Sequence, residues 1–328
     1  MSLDPTARAR LGRSGVEVTQ LGLGTAPLGG LYEAVSDADA DATITAAFDL
    51  GLGFVDTAPL YGHGIAEQRV GRVVARRQRE SIIVATKVGR LLRPVAGDLV
   101  GGAYVGTPDV NPVFDFSYDG VMRSLEESLE RLGLDRVDVL HIHDPDDHYD
   151  EALTGAYRAL DRLRAEGTIG AVGAGMNQSA MPARFARDGN FDCFLLAGRY
   201  TLLDQEGLLE LLPLCVDHGI SIIAGGVYTS GLLADPRPGA PFDYEPASAA
   251  LVERALRLQD VCGRHGVPLK AAAIQFPLGH PAVASVVTGA RSPAELTENV
   301  AMFRQPIPPA LWDEFRSEGL LGGEVPTP

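Results

Sequence analysis

The amino-acid sequence predicts a (β/α)8 barrel (a TIM barrel), in which eight parallel strands close into a ring and a helix follows each strand. Eight short apolar segments alternate with eight helix-like segments along the 328 residues. The apolar segments are continuous runs, which is typical of parallel strands whose outer face is covered by helices. No stretch between these units resembles a domain linker. We therefore expect residues 1–328 to form a single domain.

A β-hairpin is predicted ahead of the barrel at residues 8–20, where Gly-Arg-Ser-Gly separates two short polar-alternating stretches. The predicted barrel strands are 20–24, 54–56, 81–86, 137–142, 169–173, 191–196, 220–224 and 284–288. The predicted helices that follow them are 39–50, 66–76, 119–133, 149–166, 179–187, 206–218, 247–265 and 292–303. A C-terminal helix and tail are expected at residues 308–328.

Two connections are longer than the turns that join most strands to their helices. They are residues 89–118, after the third strand, and residues 225–246, after the seventh. Both are rich in Gly and Pro, and they carry the aromatic residues Tyr104, Phe114, Phe116, Tyr228, Phe242 and Tyr244. Loops that follow barrel strands surround the active site, so we expect both to be walls or lids over a substrate. The alternative is that they are simple surface insertions.

Composition excludes several classes of protein. Asp and Glu number 43 against 28 Lys and Arg, which gives a net charge of −15 and disfavours binding to nucleic acid. No apolar run is long enough to span a bilayer, and the first residues lack the apolar core of a signal peptide. The three cysteines, Cys193, Cys215 and Cys262, are odd in number and widely spaced. This spacing indicates a reducing compartment, so a cytoplasmic protein is expected. The oligomeric state is not indicated.

Four ionisable side chains are predicted to meet at the carboxyl ends of the strands: Asp56, Tyr61, Lys87 and His143. A buried lysine needs a counter-ion, and Asp56 is the natural partner of Lys87. An ammonium near a phenol favours the phenolate and lowers the pKa of the phenol. We therefore expect Tyr61 to be a general acid–base that Lys87 tunes, while Asp56 holds Lys87 and His143 orients the substrate oxygen.

The pair His141 and His143 also allows another interpretation, because His-x-His at a strand end occurs in metal-dependent barrel hydrolases. The other five histidines fall in predicted loops or helices, so no metal site is expected and His141 is predicted to be a hydrogen-bonded interior residue. Glu67, Arg69 and Arg72 follow helical spacing and are expected to form a solvated helix face.

The motifs FVDTAPLYG, VATKVG and DVLHIHDP, together with LGLGTAPLGG and VVTGARSPAELTENV, resemble those of the aldo-keto reductase superfamily. The resemblance covers essentially the whole chain and includes the superfamily's Asp, Tyr, Lys and His tetrad. The phrases GTAPLGGLYEAVSD, GAGMNQ and FLLAGRYTLL resemble the branch that contains D-threo-aldose 1-dehydrogenases, also called L-fucose or galactose dehydrogenases, and pyridoxal 4-dehydrogenase.

That resemblance implies an oxidoreductase with a nicotinamide cofactor lying across the carboxyl face of the barrel. It implies oxidation of carbon 1 of an aldose hemiacetal, such as L-fucose or a galactose-type sugar, to a lactone. Oxidation of pyridoxal and a general NAD(P)H-dependent reduction of aldehydes or ketones are the alternatives. A cofactor-binding subunit that reports redox state without turning over a metabolite also occurs in the family.

The resemblance also implies a set of cofactor contacts. They are Gly24, Thr25, Ala26, Asp56, Asn177, Gly225, Gly226, Tyr228, Ser230, Leu232, Gly289, Ala290, Arg291, Glu295, Glu298 and Asn299. The family's phosphate-binding lysine and arginine align with Gly289 and Glu295. A cation-free pocket with a carboxylate repels a 2′-phosphate, so NAD is predicted over NADP, with Arg291 as the one nearby cation. Asp144 replaces a frequent tryptophan beside His143, and a carboxylate there favours a polyhydroxylated substrate.

Overall fold

The computed structural model describes residues 2–94, 102–242 and 245–328. Eight parallel strands form a closed barrel in which each strand is hydrogen-bonded to its neighbours in chain order and the last pairs with the first. The barrel strands are Leu21–Gly24, Phe54–Asp56, Ile83–Val88, Val139–His143, Ala171–Met176, Cys193–Ala197, Ser221–Gly225 and Val283–Gly289. The predicted barrel is confirmed, with strand ends that differ from the predicted ones by three residues or fewer.

Helices cover the outside of the barrel. Their bounds are Asp37–Asp49, Ile65–Val74, Tyr118–Leu132, Ala180–Asp188, Leu211–His218, Ala249–Arg264, Leu269–Gln275, Pro293–Arg304 and Pro309–Ser317. A further helix runs through Tyr149–Glu151, a π-helical turn at Ala152–Ala156, and Tyr157–Ala165. Serines at positions 36, 117, 248 and 292 begin four of these helices, since each side chain accepts a hydrogen bond from a first-turn amide.

The amino end of the barrel is closed by apolar side chains. The predicted hairpin is present as the antiparallel strands Arg8–Arg10 and Glu17–Thr19. Its Leu11 and Val18 pack with Phe54 and Val139 in the interior of the barrel. Because apolar side chains fill this end of the barrel, the active site is expected at the carboxyl end.

The described part of the connection at residues 89–118 contains a pair of strands. Arg90–Pro94 and Val110–Phe114 form an antiparallel pair. We call residues 90–94 and 102–114 the flap. The flap contacts the loop after the first barrel strand, where the amide of Tyr32 donates to the carbonyl of Ala103 at 2.7 Å and the amide of Val105 donates to Gly30 at 2.9 Å. His63 Nδ1 lies 2.7 Å from the carbonyl oxygen of Val110.

The second long connection contains the short pair Pro241–Phe242 and Glu245–Pro246, and the predicted aromatic residue Tyr244 lies outside the described residues. Cys193, Cys215 and Cys262 are buried free thiols. In the part of the chain that the structure describes, no helix has the length and apolar character that a membrane span requires.

The predicted solvated face of the helix Ile65–Val74 is wrong for two of its three residues. Glu67 is fully buried, where it accepts hydrogen bonds from Thr86 Oγ1 at 2.7 Å and Arg131 Nε at 2.6 Å. Arg69 is also buried and contacts Asp37 at 2.7 Å. Helical spacing shows that residues share a face of a helix. It does not show that a neighbouring element packs against that face and supplies an opposite charge.

Candidate active site

The four predicted catalytic residues come together at the carboxyl end of the barrel. Asp56 ends the second barrel strand, Lys87 lies near the end of the third, and His143 ends the fourth. Tyr61, Lys87 and His143 line a cavity of about 730 Å³, and Asp56 is buried next to Lys87. Side chains from three strands and one loop therefore share one site.

Lys87 and Asp56 form a buried ion pair beneath the cavity. The Nζ atom of Lys87 donates to Asp56 Oδ2 at 2.7 Å and to the carbonyl of Thr57 at 2.9 Å. Only 1% of the Lys87 side chain and 3% of the Asp56 side chain are exposed. Burial raises the pKa of Asp56, and the ammonium of Lys87 opposes that rise. The pair fixes the position of the amine, because breaking it would leave a charge buried without a partner.

The amine of Lys87 faces the phenol ring of Tyr61. Its Nζ atom lies 4.6 Å from the centroid of that ring. The ring of Tyr61 stands edge-on to His143, with centroids 6.0 Å apart, and is stacked on Tyr104 of the flap, with centroids 6.3 Å apart. The ammonium of Lys87 is therefore close enough to the phenol of Tyr61 to influence its acidity.

His143 is buried and neutral. Burial lowers the pKa of His143 well below its usual value, and the nearby charges of Arg90 and Lys87 lower it further. Its Nε2 atom lies 3.4 Å from Asp144 Oδ2. A neutral imidazole can donate one hydrogen bond and accept another, which suits a group that orients a substrate oxygen.

His141 is a fully buried residue of the barrel interior, but the predicted hydrogen bond is not found within the part of the chain that the structure describes. Neither ring nitrogen has a hydrogen-bond partner among the described residues. Burial and the charge of Lys87 lower the pKa of His141 to about 3, so the ring is neutral. The ring packs against the backbone of Gly173, where a Cβ atom would collide with it. Within residues 2–94, 102–242 and 245–328, no group of three or more His, Cys, Asp or Glu is arranged to hold a metal ion.

Sequence reasoning missed Arg90, which lies on the wall of the cavity. Its Nη2 atom donates to Asp144 Oδ2 at 2.9 Å, and its guanidinium carbon lies 4.6 Å from the centroid of the Phe114 ring. The sequence offered one clue, since Arg90 comes two residues after the third barrel strand. Its pairing with Asp144 depends on the hairpin of the flap, which was predicted as a loop.

A smaller cavity of about 220 Å³ gathers several of the predicted cofactor contacts. Gly226, Tyr228, Ser230 and Gly289 line it. Gly24, Thr25 and Ala26 lie at the end of the first barrel strand, just before Pro27, which also lines this cavity. Gly225 is the last residue of the seventh strand. Leu232 and Ala290 are buried, and Asn177 lines the larger cavity instead.

No Lys or Arg is among the described residues that line this smaller cavity, but Arg291 and Lys270 lie near the predicted cofactor contacts, and each is paired with a carboxylate. Arg291 contacts Glu33 at 2.7 Å and Glu295 at 3.0 Å. Lys270 contacts Glu298 at 2.6 Å. Close by, the hydroxyl of Tyr228 donates to Asn299 Oδ1 at 3.0 Å. The charge of each cation is thus neutralised by the protein itself.

Comparison with known proteins links this site to a family. A model described as "Aldo/keto reductase family" matches residues 20–317. The chain is 44% identical to a pyridoxal 4-dehydrogenase of Microbacterium luteolum, over 98% of this chain and 100% of the relative. It is 40% identical to a D-threo-aldose 1-dehydrogenase of a Pseudomonas species, over 100% of this chain and 99% of the relative.

Among solved structures, the chain is similar to the aldo-keto reductase AKR11C1 of Bacillus halodurans in its holo form. The TM-score is 0.76 at 25% sequence identity, and the match covers 97% of each chain.

Proposed function

The chain belongs to the aldo/keto reductase family, and on that premise we propose that it is an NAD-dependent dehydrogenase that oxidises carbon 1 of a cyclic aldose to a lactone. The family and the dehydrogenase names of its relatives make it an NAD(P)-dependent oxidoreductase. The observation that carries the choice of substrate is the Arg90–Asp144 pair, which offers hydrogen-bond donors and acceptors in the same cavity as Lys87 and Tyr61.

In this proposal Tyr61 moves the proton. As a phenolate it accepts the proton of the anomeric hydroxyl group while the C1–H bond breaks and the C1=O bond of the lactone forms. A bound nicotinamide ring would supply the acceptor for the hydride that leaves carbon 1. Lys87 stabilises the phenolate, and Asp56 holds Lys87 in place through their 2.7 Å contact.

His143 and the walls of the cavity position the sugar. Because His143 is neutral, it can hold the oxygen that becomes the carbonyl without giving up a proton to it. Arg90 and Asp144 are placed to bind ring hydroxyl groups, and Tyr104 and Phe114 offer aromatic faces to the apolar side of the ring.

The smaller cavity suits the phosphate and ribose groups of a dinucleotide. Thr229 and Ser230 have φ values of 52° and 55°, which are uncommon for residues other than glycine and occur in backbone turns that bind anions. Among the described residues, the buried Thr229 Oγ1 has no hydrogen-bond partner. The helix Pro293–Arg304 begins four residues after Gly289, and helix starts favour anions. We propose that Gly226, Tyr228, Ser230 and Gly289 hold the cofactor.

NAD is the proposed cofactor because the cations near this cavity are already paired. A 2′-phosphate would have to compete with Glu33 and Glu295 for Arg291, whereas a free 2′-hydroxyl can donate to a carboxylate. Values of kcat/KM for NAD and NADP with one substrate decide this point. A several-fold preference for NADP would refute it. The free thiols fit the further proposal that the enzyme works in the cytoplasm.

A second candidate substrate is pyridoxal, whose cyclic hemiacetal presents an equivalent carbon. Two observations favour it: the 44% identity to a pyridoxal 4-dehydrogenase, and the aromatic rings of Tyr61, Tyr104 and Phe114 around the cavity. A planar ring can stack on such rings. Neither observation excludes a sugar.

Initial rates of NADH formation with L-fucose, galactose-type sugars and pyridoxal test the proposal. We expect the highest kcat/KM for an aldose, and Tyr61→Phe is expected to bind NAD normally while losing at least a hundredfold in kcat. A tenfold or larger advantage for pyridoxal would transfer the assignment to the second candidate. Full activity of Tyr61→Phe would contradict the role of the phenol.

A further inference from the structure

Asp144 occupies a strained position between two functional groups of the cavity. Its φ of 41° lies in the left-handed region, which few residues other than glycine, Asn and Asp adopt. Its amide donates to the carbonyl of Gly175 at 3.0 Å, and its Oδ2 atom accepts from Arg90 at 2.9 Å. Backbone strain of this kind persists where surrounding contacts fix it, often at functional sites. The carboxylate is therefore held at a defined place beside His143.

His143 must carry its single proton on one of two nitrogens, because the ring is neutral. In the described part of the chain, the buried Nδ1 atom has no hydrogen-bond partner. The Nε2 atom lies 3.4 Å from Asp144 Oδ2. An N–H group that faces a carboxylate is stabilised, whereas a lone pair that faces it is repelled. These contacts favour the tautomer that is protonated at Nε2.

The distance of 3.4 Å is itself informative. Charge-assisted hydrogen bonds are shorter, at about 2.7–2.9 Å, so the proton on Nε2 is not fully engaged by Asp144. Arg90 explains this long distance, since it donates to the same oxygen atom at 2.9 Å and anchors the carboxylate. The N–H group of His143 is oriented by the carboxylate and remains able to donate to a substrate oxygen.

We propose that Asp144 is a positioning residue that keeps the proton of His143 on Nε2, and that Arg90 holds Asp144 so that this proton stays available to the substrate. The assignment of the tautomer depends only on the contacts of Asp144 and Arg90. The effect of the tautomer on turnover rests on the proposed function of the site. The inference thus assigns a role in catalysis to two residues that lie outside the Asp, Tyr, Lys and His tetrad.

The test is the variant Asp144→Asn, because asparagine also tolerates the left-handed conformation and keeps the shape of the side chain. The matched control is Asp147→Asn, which removes one negative charge from an exposed position three residues away. Nitrogen NMR of histidine-labelled protein reports the tautomer directly, and the signal of His143 is assigned by its loss in His143→Gln. We expect the Nε2–H form in the native protein and in the control, and a mixture of both tautomers in Asp144→Asn.

Kinetics provide the second readout. Asp144→Asn is expected to lower kcat roughly tenfold or more while the Kd for NAD stays unchanged. In the His143→Gln background the same substitution should have no further effect on kcat, because the role of Asp144 in turnover passes through His143. Loss of a contact between Asp144 and the substrate hydroxyl groups would change KM instead. An unchanged tautomer in Asp144→Asn overturns the proposal. Equal losses of kcat in both backgrounds also overturn it, since Asp144 would then affect turnover without acting through His143. The NMR result stands even if neither sugars nor pyridoxal are substrates.

Discussion

Replacing Lys87 by methionine is expected to raise the pKa of Tyr61 and to move the pH dependence of turnover. Methionine has a similar length but carries no charge. The lost charge lies 4.6 Å from the centroid of the phenol ring. At roughly 5 Å and an effective dielectric constant of about 20, a unit charge stabilises a phenolate by about 3 kcal/mol, or about two pKa units. Tyr61 is partly exposed to solvent, so this value is an upper limit.

The assay is kcat as a function of pH in the oxidising direction. Oxidation requires the phenolate, so the acidic limb of the profile should move upward by roughly one to two pH units in Lys87→Met. At pH 7 kcat should therefore fall by roughly ten- to a hundredfold and recover in part as pH rises. The Kd for NAD, measured by fluorescence, should be unchanged. An unaltered pH profile would refute the idea that Lys87 tunes Tyr61.

The same variant should also lose stability in a pH-dependent way, because it leaves Asp56 buried without a partner. Removing one member of a buried pair costs about 3–5 kcal/mol. Burial already raises the pKa of Asp56, so in the variant the folded state binds this proton more tightly than the unfolded state does. Stability then falls as pH rises, and the loss in Tm should be larger at pH 8 than at pH 5.

Arg79→Met is the matched control for this loss of stability. It breaks an ion pair to Asp138, with atoms 2.8 Å apart, at the amino end of the barrel. Arg79→Met should lower Tm, while the pH profile of kcat should stay unchanged. A shifted profile in this control would mean that general destabilisation, and not loss of the amine, explains the result for Lys87→Met.

Three further substitutions test other parts of the molecule. Glu67→Gln should lower the free energy of unfolding by roughly 3 kcal/mol in urea titrations, because it leaves Arg131 without its anion; a change below 1 kcal/mol would contradict this. Tyr104→Ala should raise KM for the substrate roughly fivefold with little loss in Tm, since its ring lines the cavity; an unchanged KM would exclude that contact. Glu295→Gln should raise kcat/KM for NADP relative to NAD roughly fivefold, because it removes one of the two carboxylates that are paired with Arg291. An unchanged ratio would mean that this arginine does not reach the 2′ position.

The fold could be predicted because each strand of a parallel barrel is an apolar run bounded by turn residues. The third strand shows where this reasoning stops. It was predicted to end at residue 86, but it continues through Lys87 and Val88. Asp56 was predicted as the counter-ion of Lys87, but that pairing does not show whether the lysine lies inside the strand or just after it. That contact joins residues 31 positions apart in the sequence.

The meeting of Asp56, Tyr61, Lys87 and His143 at one end of the barrel could be predicted from strand positions and from the resemblance. The side chains that contact them could not. The pair of Arg90 and Asp144 depends on the pairing of two strands, Arg90–Pro94 and Val110–Phe114. The amino-acid composition of these strands differs little from that of a loop. The burial of Glu67 depends on Arg131 in a neighbouring helix. Single-residue patterns indicate charge and polarity, but they do not indicate which distant partner neutralises a charge.

The fifth barrel strand shapes the chemistry by what it lacks. Gly173 lies against the ring of His141, and a Cβ atom at Gly175 would lie 3.3 Å from Cε of Lys87. Neither glycine has an ionisable group. Because they lack side chains, they leave room for Lys87 of the third strand and His141 of the fourth. A methyl group added at Gly175 would make a tight contact with the side chain of Lys87. In the proposed mechanism, the acidity of the Tyr61 phenol therefore depends in part on a position that bears no charge and takes no part in proton transfer.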